Sequence, residues 1–317
     1  MPMKLLKPRV LPPNSQVALL APASALSTEK LEAGVSALAG LGFNPKIFLQ
    51  PTREFLKRRS FASDSPQKRA QAFNSAISDK KIAAVWALRG GFGSMEILPD
   101  LDYRRIRQAR KPIVGYSDVT ALLHAVYCRS GLISFHGPMV GVEVARFTEE
   151  PEAKRSVAAL LQMLSGVSQT RNYSCKTLRS GSASGPLLPA NLSMLCALIG
   201  TPWEVKLDGH ILVIEDINEP PYRIHRMLLQ LKLAGKLRRL KGVVFGRFSG
   251  AEAVWGPRLE NYLSTICETI FDKTKFPVCC GLQFGHAGTN LPVPVGCMAS
   301  LTRGKLTLLE SPIADEC

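Results

Sequence analysis

Short apolar runs alternate with amphipathic helical patterns through the first 140 residues, and this constrains the fold more than any other feature of the chain. Residues 17–21 form an apolar run ended by Pro22, as expected of a buried parallel strand. Ser27 or Thr28 then caps a helical pattern through Leu41, with Leu31, Val35, Leu38 and Leu41 on one face and Gly42 as its stop. Residues 44–49 predict a second strand and 65–78 a helix with Ala70, Phe73 and Ile77 turned inward. Residues 82–88 predict a third strand and 113–115 a fourth, followed by a helix over 119–129. Such alternation means a parallel sheet with helices on both faces.

The pattern changes after residue 150. Residues 152–164 read as helix, while 168–186 are rich in Ser, Gly and Thr without a helical period, so the domain linker is placed there. Helices are then expected over 193–199, 222–233 and 259–271, the second with Ile224, Met227, Leu228 and Leu231 on one face. Strands are expected over 211–215, 243–248, 291–301 and 305–309. The expectation is an α/β protein of two domains. Residues 1–165 form a Rossmann-like parallel-sheet domain, and 166–317 a second α/β domain with mixed, partly barrel-like strands.

A length of 317 residues is ample for a core without disulfides, and no uncharged apolar run approaches the ~20 residues of a membrane span. Lys4 and Lys7 precede a short apolar run, but Pro12-Pro13-Asn14 interrupts the region, so it reads as a strand and not as a secretion signal. The formal charge of +15 gathers mildly at Lys57-Arg58-Arg59, 104–111 and 236–241, without interleaved aromatic residues. Solvated helix faces explain it best; steering of an anionic substrate or binding of a polyanion are the alternatives. The eight cysteines show neither a CxxC pair nor zinc spacing, and neighbours Cys279 and Cys280 cannot form an ordinary bridge with each other. Buried reduced thiols in a cytoplasmic protein are expected.

Arg89-Gly-Gly-Phe-Gly93 follows a buried strand, where glycines let a backbone approach a ligand and aim N–H groups at an anion. It matches no nucleotide fingerprint, and a tight turn is the plain alternative. Ile113-Val-Gly-Tyr-Ser117-Asp118 places a serine between a buried strand and a helix, as in a nucleophile elbow, although the pattern alone favours a helix N-cap. A nucleophilic serine needs a base and the base an orienting group. Of the five histidines, His124 lies within a helix, His210 in a turn and His225 on an amphipathic surface; His136 lines a cleft or packs. His286, flanked by glycines in Phe284-Gly-His-Ala-Gly288, suits an exposed imidazole. Glu215 ends the apolar strand Ile-Leu-Val-Ile and needs a partner, which a structural salt bridge would supply equally well.

Taken in order, R-G-G-F-G (89–93), G-Y-S-D (115–118), H-G-P-M (136–139), N-L-S-M-L (191–195) with G-T-P (200–202), I-E-D (214–216) with E-P-P-Y-R-I (219–224), and F-G-H (284–286) resemble the LD-carboxypeptidases of the S66 serine peptidase family. That family includes muramoyl-tetrapeptide carboxypeptidases and microcin C immunity proteins. The resemblance implies a triad of Ser117 as nucleophile, His286 as general base and Glu215 as the residue orienting the imidazole, with an oxyanion hole from the backbone N–H groups of Gly91 and Asp118. It further implies a cytoplasmic homodimer that releases the terminal D-Ala of muropeptides without metal or cofactor, and neither a nucleic-acid nor a membrane partner. A peptidyl-adenylate hydrolase with the same triad is the nearest alternative. A non-catalytic nucleotide or polyanion binder is a more distant one. The chain departs from the family's usual residues at Pro189-Ala190, Phe92 and His225.

Overall fold

The side chains of β1 (Gln16–Leu20) alternate between two apolar layers, Val17 and Leu19 entering one and Ala18 and Leu20 the other. The same division recurs in β3 (Ile82–Ala87) after β2 (Asn44–Ile47): Ala84 and Trp86 face one layer, Val85 and Ala87 the other. The computed structural model describes residues 4–49, 61–166, 171–251, 255–256 and 258–314. The basic run Lys57-Arg58-Arg59 and Cys317 lie outside these residues.

With β4 (Ile113–Gly115) and β5 (Ser134–His136), these strands pair in parallel in the order β5-β4-β3-β1-β2. That is a doubly wound order, with its crevice where the connections from β1 and β3 diverge. Helices α1 (Thr28–Gly40), α2 (Pro66–Ser78), α3 (Ser94–Ile97), α4 (Tyr103–Ala109), α5 (Thr120–Ser130) and α6 (Pro151–Leu164) connect or flank the strands. Leu31 and Leu38 of α1 and Val157 and Leu160 of α6 cover one face. Phe73 of α2, Ile106 of α4 and Leu122 of α5 cover the other, so both faces are clothed as the sequence predicts. Ser27 and Ser65 cap α1 and α2.

The region expected as a linker is different. It supplies β6 (Asn172–Ser174), β7 (Lys176–Arg179) and the start of β8 (Ser182–Asn191). The second sheet adds β9 (Ile211–Ile217), β10 (Gly242–Ser249), β11 (Val278–Cys280), β13 (Met298–Thr302) and β14 (Lys305–Leu308). Its order is β6-β14-β13-β8-β9-β10-β11-β7, with β8 to β11 parallel and the flanking pairs antiparallel. Consecutive β6 and β7 occupy opposite edges, joined through Cys175. The sheet therefore curls until its edges meet, yet among the described residues no ladder closes it into a barrel. Helices α7 (Leu192–Ala197), α8 (Pro221–Leu233) and α9 (Arg258–Thr269) pack on its outside.

The strand expected near 291–301 is split. Its first part, β12 (Val293–Val295), leaves the second sheet and pairs antiparallel with β5 at the edge of the first. Both apolar layers draw residues from both halves of the chain. Among the described residues no helix is long and apolar enough to cross a membrane. The seven described cysteines are free, four of them buried. Some residues of the basic runs have a local use. Lys111 Nζ donates to the carbonyls of Ala76 and Asp79, Arg107 to those of Lys4 and Ser130, and Lys236 pairs with Glu204.

Two helical glycines give opposite expectations. A Cβ on Gly34 of α1 would stand 2.7 Å from the Val140 carbonyl oxygen, whereas one on Gly40 would meet nothing within 4 Å. Gly34→Ala should lose about 1–3 kcal/mol through overpacking against its gain in helix propensity, and Gly40→Ala should gain up to about 1 kcal/mol. Urea midpoints measure both; equal gains would mean that α1 does not seat on the 137–141 loop.

Candidate active site

Ser117 sits where β4 ends. Tyr116 is extended at φ −156°, and Ser117 turns to φ +63°, a left-handed conformation that costs a serine about 1–3 kcal/mol. It opens a single 3₁₀ turn, Ser117–Val119, that leads into α5. No side chain caps that turn, so the N-cap reading of Ser117 is not realised. The Arg89–Gly93 loop at the end of β3 comes close. A Cβ on Gly90 would lie 2.7 Å from the Ser117 Cβ and 3.3 Å from the Asp118 nitrogen, so only glycine allows the approach.

Buried groups hold this loop from behind. Asp118 accepts from the Ser94 N–H at 2.8 Å, and its own carbonyl accepts from the Ser94 hydroxyl. Burial raises the Asp118 pKa, which the Ser94 bonds oppose. Arg69 is sealed in the core, where it donates to the carbonyls of Pro22, Asp64 and Gly93 and pairs with Glu96. The Phe92 N–H is taken by the Ser24 hydroxyl at 3.0 Å. The N–H groups of Gly91 and Asp118 make no hydrogen bond among the described residues.

Glu215 and His286 meet directly. Glu215, near the end of β9, is fully buried, and its Oε2 lies 2.6 Å from Nδ1 of His286. An ionised carboxylate only accepts, so Nδ1 carries the hydrogen and Nε2 is left with its lone pair. Gly285, at φ +117°, brings the loop in; a Cβ there would stand 2.8 Å from Glu215 Oε2. Asn191 Nδ2 donates to the other carboxylate oxygen at 3.2 Å. Burial raises the Glu215 pKa, with the His286 charge opposing it. For His286, burial disfavours the charged ring, but the Glu215 charge and hydrogen bond outweigh it and raise the pKa above the ordinary imidazole value.

Ser117 joins this pair through its neighbour. The Tyr116 ring meets the His286 ring edge to face, with centroids 4.9 Å apart. The remaining histidines have other positions. His136 is buried between Tyr116 and Phe284, its Nε2 4.0 Å from Glu215 Oε1, and burial drives its pKa well down. His124 donates to the Pro189 carbonyl at 2.9 Å and is held by burial to a pKa of about 4. His210 bonds Tyr127, and His225 lies beside Tyr262. Among the described residues no cluster of metal-ligating side chains occurs. Asp216, next to Glu215, instead accepts from Asn191, from both the N–H and the hydroxyl of Ser193, and from the Ile217 N–H.

Sequence reasoning missed Tyr116, Glu143, Asn191, Asn290 and Arg69, all bonded within this region. The signal was present for two of them. Glu143 is a lone carboxylate in the apolar run Val-Gly-Val-Glu-Val, and Arg69 falls on the inward face of α2 beside Phe73.

Comparison with known proteins identifies the family. Family profiles described as the LD-carboxypeptidase N-terminal and C-terminal domains match residues 17–137 and 184–301. The probable murein peptide carboxypeptidase of Bacillus subtilis (strain 168) is 31% identical over 312 residues, covering 98% of this chain and 96% of that protein. The microcin C7 self-immunity protein MccF of Escherichia coli is 27% identical, over 87% of this chain and 86% of its own. The crystal structure of muramoyltetrapeptide carboxypeptidase from Oxalobacter formigenes superposes with a TM-score of 0.79 at 29% identity, over 93% of this chain and 98% of that one. The chain belongs to the LD-carboxypeptidase family, S66, and is a peptidase by that membership.

Proposed function

We propose that this protein is a serine carboxypeptidase that hydrolyses the L,D-peptide bond to the terminal D-Ala of murein tetrapeptides. The observation that carries the reading is the buried Glu215–His286 bond at 2.6 Å, beside a serine in a left-handed turn. The names of the relatives in Bacillus subtilis and Oxalobacter formigenes support the substrate class.

In this reading the Ser117 hydroxyl attacks the carbonyl before the terminal D-residue. Nε2 of His286 takes the hydroxyl proton while the Nδ1 hydrogen remains bonded to Glu215, which stabilises the imidazolium as it forms. The negative charge on the carbonyl oxygen is received by the N–H groups of Gly91 and Asp118. His286 then protonates the departing D-Ala amine, and water, deprotonated by the same imidazole, releases the shortened peptide from Ser117. We place the reaction in the cytoplasm, on recycled wall fragments, in a homodimer. A peptidyl-adenylate hydrolase would use the same groups, as the likeness to MccF suggests. Parallel assays with a tetrapeptide and a peptidyl-adenylate analogue separate the two.

Ser117→Ala should lower D-Ala release from a murein tetrapeptide by roughly three orders of magnitude or more, while the protein stays folded. Activity near that of the unmodified protein would end the serine mechanism.

The pH dependence follows from the charge on His286. The base must be neutral, so the acid limb of kcat/KM should lie above the ordinary imidazole pKa of about 6.5, because Glu215 stabilises the charged ring. Glu215→Gln removes the largest of the charges that oppose burial, so the limb should move to lower pH as the rate falls by about 10³–10⁴-fold. A limb that stayed in place would show that another group titrates.

A further inference from the structure

Glu143 is a buried carboxylate that the proposed chemistry leaves unused. It follows the H-G-P-M segment in the first half of the chain, yet its bonds reach both halves. Its Oε1 accepts from the Tyr116 hydroxyl at 2.9 Å and from Asn290 Nδ2 at 3.3 Å, and its Oε2 accepts from the Met139 N–H at 2.9 Å. Asn290 passes the connection on, since its Oδ1 accepts from the Gly285 N–H at 3.0 Å. The Asn290 N–H is itself held by the Ser156 hydroxyl of α6 at 2.8 Å.

Each arm ends one residue from a member of the triad. Tyr116 precedes Ser117 and lays its ring against His286; Gly285 precedes His286. From this geometry we infer that Glu143 is a positioning residue, fastening the turn that carries the serine and the loop that carries the imidazole into one hydrogen-bonded unit. The inference rests on the reading of Ser117 and His286 as nucleophile and base. Reacting groups need placing to within a fraction of an ångström, and a shared rigid support achieves that better than two independent loops. The phenol stays a donor, because burial and the adjacent Glu143 raise its pKa well above 10.

The charge of Glu143 also reaches the base. The groups facing His286 are Glu215 and Asp216 from β9, Glu143 behind Tyr116, Tyr116 itself beyond β4, and His136 from β5. Glu143 favours the charged imidazole in the same sense as Glu215 does. The Arg146 charge acts on the same phenol in the opposite sense, favouring its ionised form.

Glu143→Gln and Tyr116→Phe test the clamp in the full-length protein, with kinetics on a murein tetrapeptide and an NMR titration of the His286 ring. For Glu143→Gln, kcat should fall by roughly 10–100-fold with KM within about threefold, and the His286 titration should move to lower pH. Tyr116→Phe keeps the ring and removes only the hydroxyl. It should lower kcat about tenfold, and it serves as the test should Glu143→Gln fail to fold. Folded variants with a lowered Tm but unchanged kcat and an unmoved titration would reduce Glu143 to a stability residue and overturn the proposal. If the unmodified protein releases no D-Ala while the titration still shifts in Glu143→Gln, the clamp stands and the carboxypeptidase reading falls.

Discussion

Glu215 brings a carboxylate to the end of a strand whose preceding residues are all apolar, and among the described residues its nearest cation-forming partner is the imidazole of His286 at 2.6 Å, whereas His136, 4.0 Å away, is kept uncharged by burial. A buried carboxylate left without its partner costs about 3–5 kcal/mol, so the loop holding His286 is tied to the strand by energetics as well as by sequence. The tie also fixes chemistry. With Nδ1 bonded to Glu215, only Nε2 remains to exchange a proton, and the charged ring is favoured against the burial that opposes it.

That pair belongs to the second half of the chain, whereas the Ser117 turn belongs to the first, and several features prevent the halves from being independent. β12 leaves the curled sheet to pair with β5, directly beside the strand that ends in Ser117's turn. Both apolar layers run through both sheets. Near the site, Tyr116 touches His286, and Thr120 at the start of α5 accepts from the Asn191 N–H at the end of β8. Each contact alone is modest, but they share one region and restrain the same relative motion.

The local elements were legible in the sequence because their causes are local. Apolar runs marked β1, β3, β4, β9 and β10, and Ser27 and Ser65 marked the starts of α1 and α2. The order of the sheets was not legible. β6 and β7 are short and polar, and they are strands only because β14 and β11 offer backbone groups to pair with. β12 reads as part of a continuous extended stretch, and nothing local tells it to change sheets. Ser117 illustrates the same limit within the site. Its position between strand and helix is visible in the sequence, but the left-handed turn that distinguishes it from a cap depends on Gly90 and on Asp118 being anchored to Ser94. The partners of Glu143 lie at positions 116, 139 and 290, a spread no periodicity can reveal.

Several buried charges around the site are directed at backbone more than at each other. Arg69 grips three carbonyls, while Asp118 receives the N–H of Ser94 at the start of α3, Asp216 that of Ser193 in the first turn of α7, and Glu143 that of Met139 in the loop after β5. Such bonds fix where a loop runs without dictating which side chains it displays. The departures read from the sequence fall on differing surroundings: Phe92 is exposed and His225 half-buried, whereas Pro189 and Ala190 are buried in β8. Phe92 is exposed, and its backbone N–H is still held by Ser24. Pro189 stands in β8 where its carbonyl accepts from His124, and His225 lies on the outer helix α8 beside Tyr262. Among the described residues, none of these side chains bonds Ser117, Glu215 or His286, so the frame that brings the Ser117 turn, Glu215 and His286 into one region does not depend on them.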